Sequence, residues 1–330
     1  MPCFLLSITP ILQYSIAPCI MDAYLEQLPQ QLVNGLTLGG VYALIAIGYT
    51  MVYGILFMLN FAHGEIYMLG GFAGWWTLHL LTKNNVPLIN AGVLIFFMII
   101  VAMVVTACLG MTVERLAYRP LRKSPRMNLL LSALGVSMFL QNAVLTFQGA
   151  KPRFFPSSAL IPESIRLFHI GNVVISFMRV MVIVVAFLLM ALLTVMIKKT
   201  KVGKAMRATA QDSEAATFMG VDTDRIIVLV FLIGSALGGA AGTLVGLLFT
   251  QVDYYVGFQA GLKGFTAAVL GGIGNIFGAM LGGIILGLLE SLATTFFPAT
   301  YKDVVAFVVL ILVLIFRPWG LMGERVPEKV

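Results

Sequence analysis

Three groups of residues carry whatever chemistry this chain performs. The first is Asn60-Phe-Ala-His-Gly-Glu65, an amide, an imidazole and a carboxylate crowded between two apolar runs with almost no loop to hold them. An ionisable side chain in hydrocarbon costs about 2.5–3.5 kcal/mol or more, and it is kept where it is paired or used. His63 and Glu65 therefore either cap a tight turn close to water or gate a pathway. The second is Lys263, four residues after Gln259 in an apolar segment. Its ammonium either snorkels to the outer interface or faces the same pathway. The third is GKAMRATAQDSEAATFMGVDTDR, residues 203–225, a polar island between runs 180–197 and 226–252 that contain no charge.

Several enzymatic chemistries find no residues here. A phosphate-cradling GxxxxGK[ST] loop needs glycine five positions before its Gly-Lys pair, whereas Gly203-Lys204 has Lys198 there and Ala205 after it. There is no HExxH, no nucleophile elbow and no His/Cys cluster with metal spacing. Cys3, Cys19 and Cys108 lack a metal or redox spacing and read as small apolar residues.

The elements that must position these groups are membrane helices. Of 330 residues 60% are hydrophobic and only 11% charged, against about a quarter charged in soluble domains. Residues 27–64, 84–113, 127–150, 180–197, 226–252 and 264–289 are free of Asp, Glu, Lys and Arg. Runs of 18 or more such residues are candidate spans. The expectation is an all-α polytopic membrane protein, a helical bundle of about 8–10 transmembrane spans with broken or short helices. Spans fall near 32–57, 66–81, 88–113, 128–147, 180–197, 226–249 and 303–316, with two short helices around a glycine turn in 257–295. Residues 1–20, interrupted by Pro2, Pro10 and Pro18, are either an extra helix or lie upstream of a start at Met21.

Charge distribution orients the bundle. The net +7 does not point to nucleic acid, because basic residues in short loops mark the cytoplasmic side. Arg115, Arg119, Arg122, Lys123 and Arg126 share one loop. Lys198, Lys199, Lys201, Lys204, Arg207 and Arg225 share another, and Arg325 and Lys329 follow the last span. All three segments are expected inside. Residues 149–179 then form an external loop, with a small hairpin where Phe168 to Phe177 alternate. Gly234, Gly238, Gly242 and Gly246, four apart, give one helix face on which another backbone can pack closely. Gly274, Gly278 and Gly282 repeat the device.

The polar island has helix logic. Ala205, Met206, Ala208 and Ala210 favour a helix after Gly203. Asp212 or Ser213 caps a second short helix over 214–219, stopped by Gly220, and Asp222 or Thr223 caps the next span. Two short helices at the membrane surface result, with Lys204, Arg207, Asp212 and Glu214 giving polar registration to a soluble partner. A basic surface loop held by anionic lipid is the plainer alternative, but it needs neither the acidic residues nor Gly220.

This loop resembles the coupling loop of ABC importer membrane subunits in the branched-chain amino acid permease group (the LivH type). Also similar to that group are Asn34-Gly-Leu-Thr-Leu-Gly-Gly-Val-Tyr-Ala-Leu-Ile-Ala-Ile-Gly-Tyr-Thr-Met-Val-Tyr-Gly54, the Asn60 to Glu65 string, and Glu114-Arg-Leu-Ala-Tyr-Arg-Pro120. Gly203-Lys-Ala-Met-Arg-Ala208, Phe265-Thr-Ala-Ala-Val-Leu-Gly-Gly-Ile-Gly274 and Tyr301-Lys-Asp-Val-Val305 complete the likeness, in the same order from about residue 28 to the C-terminus. Residues 1–20 have no counterpart in the typical member, and Phe277 stands where the group often has proline.

The resemblance implies a bacterial inner-membrane permease with a cytoplasmic C-terminus. Its partners would be a second, LivM-like membrane subunit, two cytoplasmic ATP-binding subunits that carry the ATP-Mg, and a periplasmic amino-acid-binding protein. This chain would bind no cofactor. Residues 1–27 would be an N-terminal extension, 28–320 the permease domain with 203–220 as its coupling helices, and 321–330 a tail. Gly203, Lys204, Arg207, Ala208, Asp212, Glu214, Ala215 and Gly220 would couple to the ATPases. Asn34, Asn60, His63, Glu65 and Lys263 would line or gate the path. A urea or short-amide permease would show the same loop. An ion-coupled secondary transporter would need paired intramembrane charges, for which the sequence offers Glu65, Lys263 and Glu290, each close to a boundary.

Overall fold

The computed structural model describes residues 10–83, 91–122, 124–155, 167–170 and 173–323. The helices are α1 (Pro10–Leu56), α2 (Ala62–Lys83), α3 (Ala91–Val113), α4 (Arg126–Gln148), α5 (Phe177–Lys199), α6 (Lys201–Gln211), α7 (Ser213–Phe218), α8 (Thr223–Phe249), α9 (Val256–Gly271), α10 (Ile276–Phe296) and α11 (Lys302–Phe316). Helix α3 continues through a π turn, Glu114–Tyr118, and a 3-10 turn, Arg119–Leu121.

Among the described residues seven helices are long and apolar enough to cross a bilayer: α1 from Glu26, α3 with its extension, α4, α5, α8, α10 and α11. Two more run the depth of the bundle without meeting that measure. His63, Glu65 and Lys83 lower the hydropathy of α2. Helix α9 has 16 residues, about 24 Å against a hydrocarbon core of about 30 Å. Of the two short helices expected in 257–295 only α9 is short, since α10 has 21 residues. Of residues 1–20, those from Pro10 onward belong to α1, and residues 1–9 lie outside the described residues. Helix α1 has 47 residues and extends about 70 Å.

The interior is built by α1 and α8, each 78% buried over its apolar window, while α11 is 6% buried and lies outermost. Glycines make the central contacts possible. A Cβ on Gly242 or Gly239 would strike α2 or α3, and one on Gly283 or Gly287 would strike α1. The backbones touch there, and dispersion replaces the absent hydrophobic drive between helices in lipid.

At one end, the basic end, lie the close of α3, the α5–α8 segment and the α9–α10 turn. There Lys198 Nζ sits 4.2 Å above the Phe277 ring. The tail after α11 closes on the same turn, with Leu321 N–H donating to Leu270 O at 2.9 Å. At the far end β2 (Leu167–Ile170) and β3 (Val173–Ser176) form the expected hairpin, Leu167 opposite Ser176. A second ribbon, β1 (Arg153–Phe154) against β4 (Gln251–Val252), ties the α4–α5 loop to the end of α8.

Candidate functional site: a basic-end platform and two buried polar clusters

The polar island folds as two capped helices. Thr200 Oγ1 accepts from Gly203 N–H at 3.1 Å to start α6. Gly203 packs so closely on the end of α5 that a Cβ would strike Ile197. Asp212 Oδ1 accepts from Glu214 and Ala215 N–H at 3.0 Å each and caps α7. Gly220, at φ +83°, reverses the chain with its N–H on Thr217 O, and Asp222 caps α8 through Arg225 N–H at 3.1 Å. Gly203, Met206 and Thr209 form the buried face of α6, which leaves Lys204 and Arg207 exposed and Ala208 half-buried. Under α6 a cavity of about 90 Å³ opens between Thr50, Ile55, Ile197, Met206, Arg207 and Val230.

The tip of the platform was not foreseen. Only Ala216 of α7 is buried, and Phe218 and Met219 stand 87% and 85% exposed. Two large apolar side chains beside exposed Asp212, Glu214 and Ala215 make a small hydrophobic knob on a polar surface. Burying each would gain about 1.5–3 kcal/mol. The signal was present in the sequence as a lone Phe-Met pair in a charged loop.

Asn60, His63 and Glu65 are brought together, deep in the bundle. Each is 1% exposed, so none caps a turn near water. Asn60 Oδ1 accepts from Tyr118 Oη at 2.7 Å. The His63 ring lies edge-on to Tyr49 at 5.0 Å and fills the space of side chains missing at Gly48 and Gly238. Glu65 Oε1 accepts from Ser137 Oγ at 3.3 Å. His63 Nε2 and Glu65 Oε2 have no hydrogen-bond partner among the described residues. Such orphan groups cost about 1–3 kcal/mol each and concentrate where function retains them.

Lys263 belongs to a different cluster, in the far half of the bundle. Its ammonium donates to Glu290 Oε1 at 2.7 Å and pairs with Asp303 Oδ1 at 2.9 Å, while Tyr42 Oη donates to Glu290 Oε2 at 2.9 Å. Lys263 is thus held between buried Glu290 and exposed Asp303. It locks α9 to α10 and α11, with α1 held through Tyr42. Glu290 is 2% exposed, a buried pairing that residues 27 apart in sequence could not reveal. Asn34 joins neither cluster. It is half-buried on α1, exchanging amide hydrogen bonds with Gln30 and Gln31.

An apolar bundle with polar groups buried along its depth and a water-facing helical platform at one end is that of a polytopic membrane transport protein. Residues 31–314 match the family described as branched-chain amino acid transport system / permease component, and the chain belongs to that family. It is 47% identical to the high-affinity branched-chain amino acid transport system permease protein BraD of Pseudomonas aeruginosa, over 91% of this chain and 97% of that one. It is 45% identical to the corresponding permease protein LivH of Escherichia coli (strain K12), again over 91% and 97%. Among solved structures it is similar to PsaBC from Streptococcus pneumoniae in complex with Fab, at TM-score 0.48 and 10% identity, over 90% of this chain and 96% of that one.

Proposed function

We propose that this chain is a membrane-spanning subunit of an ATP-driven importer for branched-chain amino acids in the bacterial inner membrane, with its basic end in the cytoplasm. A LivM-like second permease subunit completes the path, and a periplasmic binding protein delivers Leu, Ile or Val to the far end. Of two ATPase subunits, one docks on α6 and α7 and the other on the second permease subunit. The observation that carries the docking reading is the knob of Phe218 and Met219 on the doubly capped platform. The names borne by relatives 45–47% identical over nearly their full length support the substrate class.

In this reading the chain does no hydrolysis and holds no cofactor; ATP-Mg sits on the partners. The knob enters a groove on the ATPase seated there, while Lys204, Arg207, Asp212 and Glu214 set its register. Of these, Lys204, Arg207 and Glu214 make no ion pair among the described residues. ATP-driven closure of the partners moves α6–α7 against the bundle, over the cavity beneath α6, and tilts the helices between outward- and inward-open arrangements. A path with few fixed charges suits a zwitterion, because a strong charge would trap it. Asn60, His63 and Glu65 lie where the α1–α2 turn meets α8 and α9, the position of a gate.

The test is purification of the solubilised complex with its partners identified. The complex of the unaltered chain retains two ATPase subunits, and Phe218→Ser loses the one seated on α6 and α7 while still inserting into the membrane. Retention of both by that variant refutes the docking surface.

A further inference from the structure

We infer that Arg122, Glu114 and Tyr118 are positioning residues that carry movement of the α6–α7 platform to the buried Asn60–His63 turn, through the π-helical joint at the end of α3. The inference rests on the docking reading above and adds the route by which the platform acts.

The contacts are continuous. Gly220 and Val221 link α7 directly to the first turn of α8, where Asp224 is 57% exposed. Arg122 Nη1 grips Asp224 Oδ1 at 2.5 Å, and Arg119 Nη2 reaches Asp224 Oδ2 at 3.2 Å. The other nitrogen of the same guanidinium, Arg122 Nη2, pairs with Glu114, whose side chain is fully buried. Glu114 opens the π turn and Tyr118 closes it. Tyr118, also fully buried, packs on Phe231 of α8 at 5.3 Å between ring centroids and donates to Asn60. Asn60 O in turn accepts from His63 N–H at 3.0 Å, closing the turn that starts α2.

A row of contacts alone does not transmit anything; coupling needs an element with two discrete arrangements. In this inference that role falls to the π turn. Arg119 N–H bonds back to Glu114 O, five residues away, and a 3-10 turn follows, so one residue more than an α-helix needs is held in the winding. π turns of this kind recur at functional positions. Reversion to α winding would rotate the residues beyond it by about 100°, which would take Tyr118 off Asn60. The ion cluster is also incompletely paired, since Glu114 Oε2 and Arg122 Nε have no partner among the described residues, and it can re-form around a displaced Asp224.

The experiment uses the whole transporter in lipid vesicles, with labelled leucine uptake and ATP hydrolysis measured on the same preparation. Tyr118→Phe removes one hydroxyl, and Arg122→Gln removes the charge between Glu114 and Asp224. Each is expected to lower leucine moved per ATP by about tenfold, the worth of one buried hydrogen bond or ion pair. Each also lowers the melting temperature, because Asn60 or Glu114 is left buried without its partner, but uptake per ATP is a ratio that lost folding alone does not change. Along a single route the double variant is no worse than the poorer single one, and Arg122→Lys recovers most of the loss. Additive losses, or an unchanged ratio of leucine to ATP in both variants, overturn the inference. Phe218→Ser separates the two claims. If it loses the ATPase seated on α6 and α7 while Tyr118→Phe and Arg122→Gln keep normal coupling, only the relay is wrong. If it keeps both ATPases, the docking reading fails and the relay loses its origin.

Discussion

Replacing Lys263 by methionine tests how the far half of the bundle is held shut. Methionine keeps the length and the apolar stem of lysine but removes the ammonium that pairs with Glu290 at 2.7 Å. Glu290 is 2% exposed and would be left with Tyr42 as its remaining donor. Stripping one partner from a buried ion pair costs about 3–5 kcal/mol. The surviving Tyr42 bond puts this case at the lower end, and the pairing with Asp303, 57% exposed, adds little. A loss of about 3 kcal/mol is roughly a 150-fold change in the folding equilibrium, a large share of the 5–15 kcal/mol of a typical domain. Thermal unfolding of the complex in detergent, followed by loss of monodisperse protein, is the assay. Lys263→Met should melt well below the unaltered chain. The double variant with Glu290→Met should recover most of the loss, because an apolar pair of similar volume can replace a buried salt bridge at little cost. Equal melting of the single variant and the unaltered chain, or a double variant as poor as the sum of the singles, would refute the reasoning.

Other outcomes follow from the same geometry. Gly220→Pro removes an N–H that bonds Thr217 O and cannot adopt φ +83°, so uptake should fall sharply while the amount of inserted protein stays constant. Charge reversal at Arg207 or Glu214 should lower uptake in the same way, seen by comparing uptake with membrane-inserted protein on immunoblots. Gly48→Ala drives a methyl group into the His63 ring and should destabilise by about 1–3 kcal/mol; in a His63→Ala background the penalty should vanish. Gly242→Ala meets the Tyr67 carbonyl, a backbone group that cannot swing away, so its loss of melting temperature should persist in every side-chain background.

What the sequence disclosed and what it hid follow from the range of the forces involved. Helix caps are local: Asp212 and Asp222 sit within three residues of the amides they satisfy, and both were legible. Apolar length is local as well, which made the long spans plain, as did the β2–β3 alternation. The glycine face of α8 could be read as a packing surface, but that it meets α2 and α3 could not. Pairing across the fold leaves no mark on spacing. Glu290 with Lys263, Tyr118 with Asn60, and Arg122 with Asp224 lie 27, 58 and 102 residues apart. Two readings of Lys263 stayed open in the sequence, because a lone cation in an apolar run is indistinguishable from a snorkelling one until its partner is placed. The brevity assigned to α10 came from reading the glycine turn at 271–275 as the centre of a broken span, whereas it lies at the basic end and a full-length helix follows it.

The most direct test of the account is uptake by membrane vesicles carrying the whole complex, supplied in parallel with labelled leucine and labelled urea, with and without ATP and the ATPase subunits. ATP-dependent entry of leucine, lost when the ATPases are omitted and absent for urea, is the predicted result. Entry of urea alone, or leucine uptake that persists without any ATPase subunit, would contradict it.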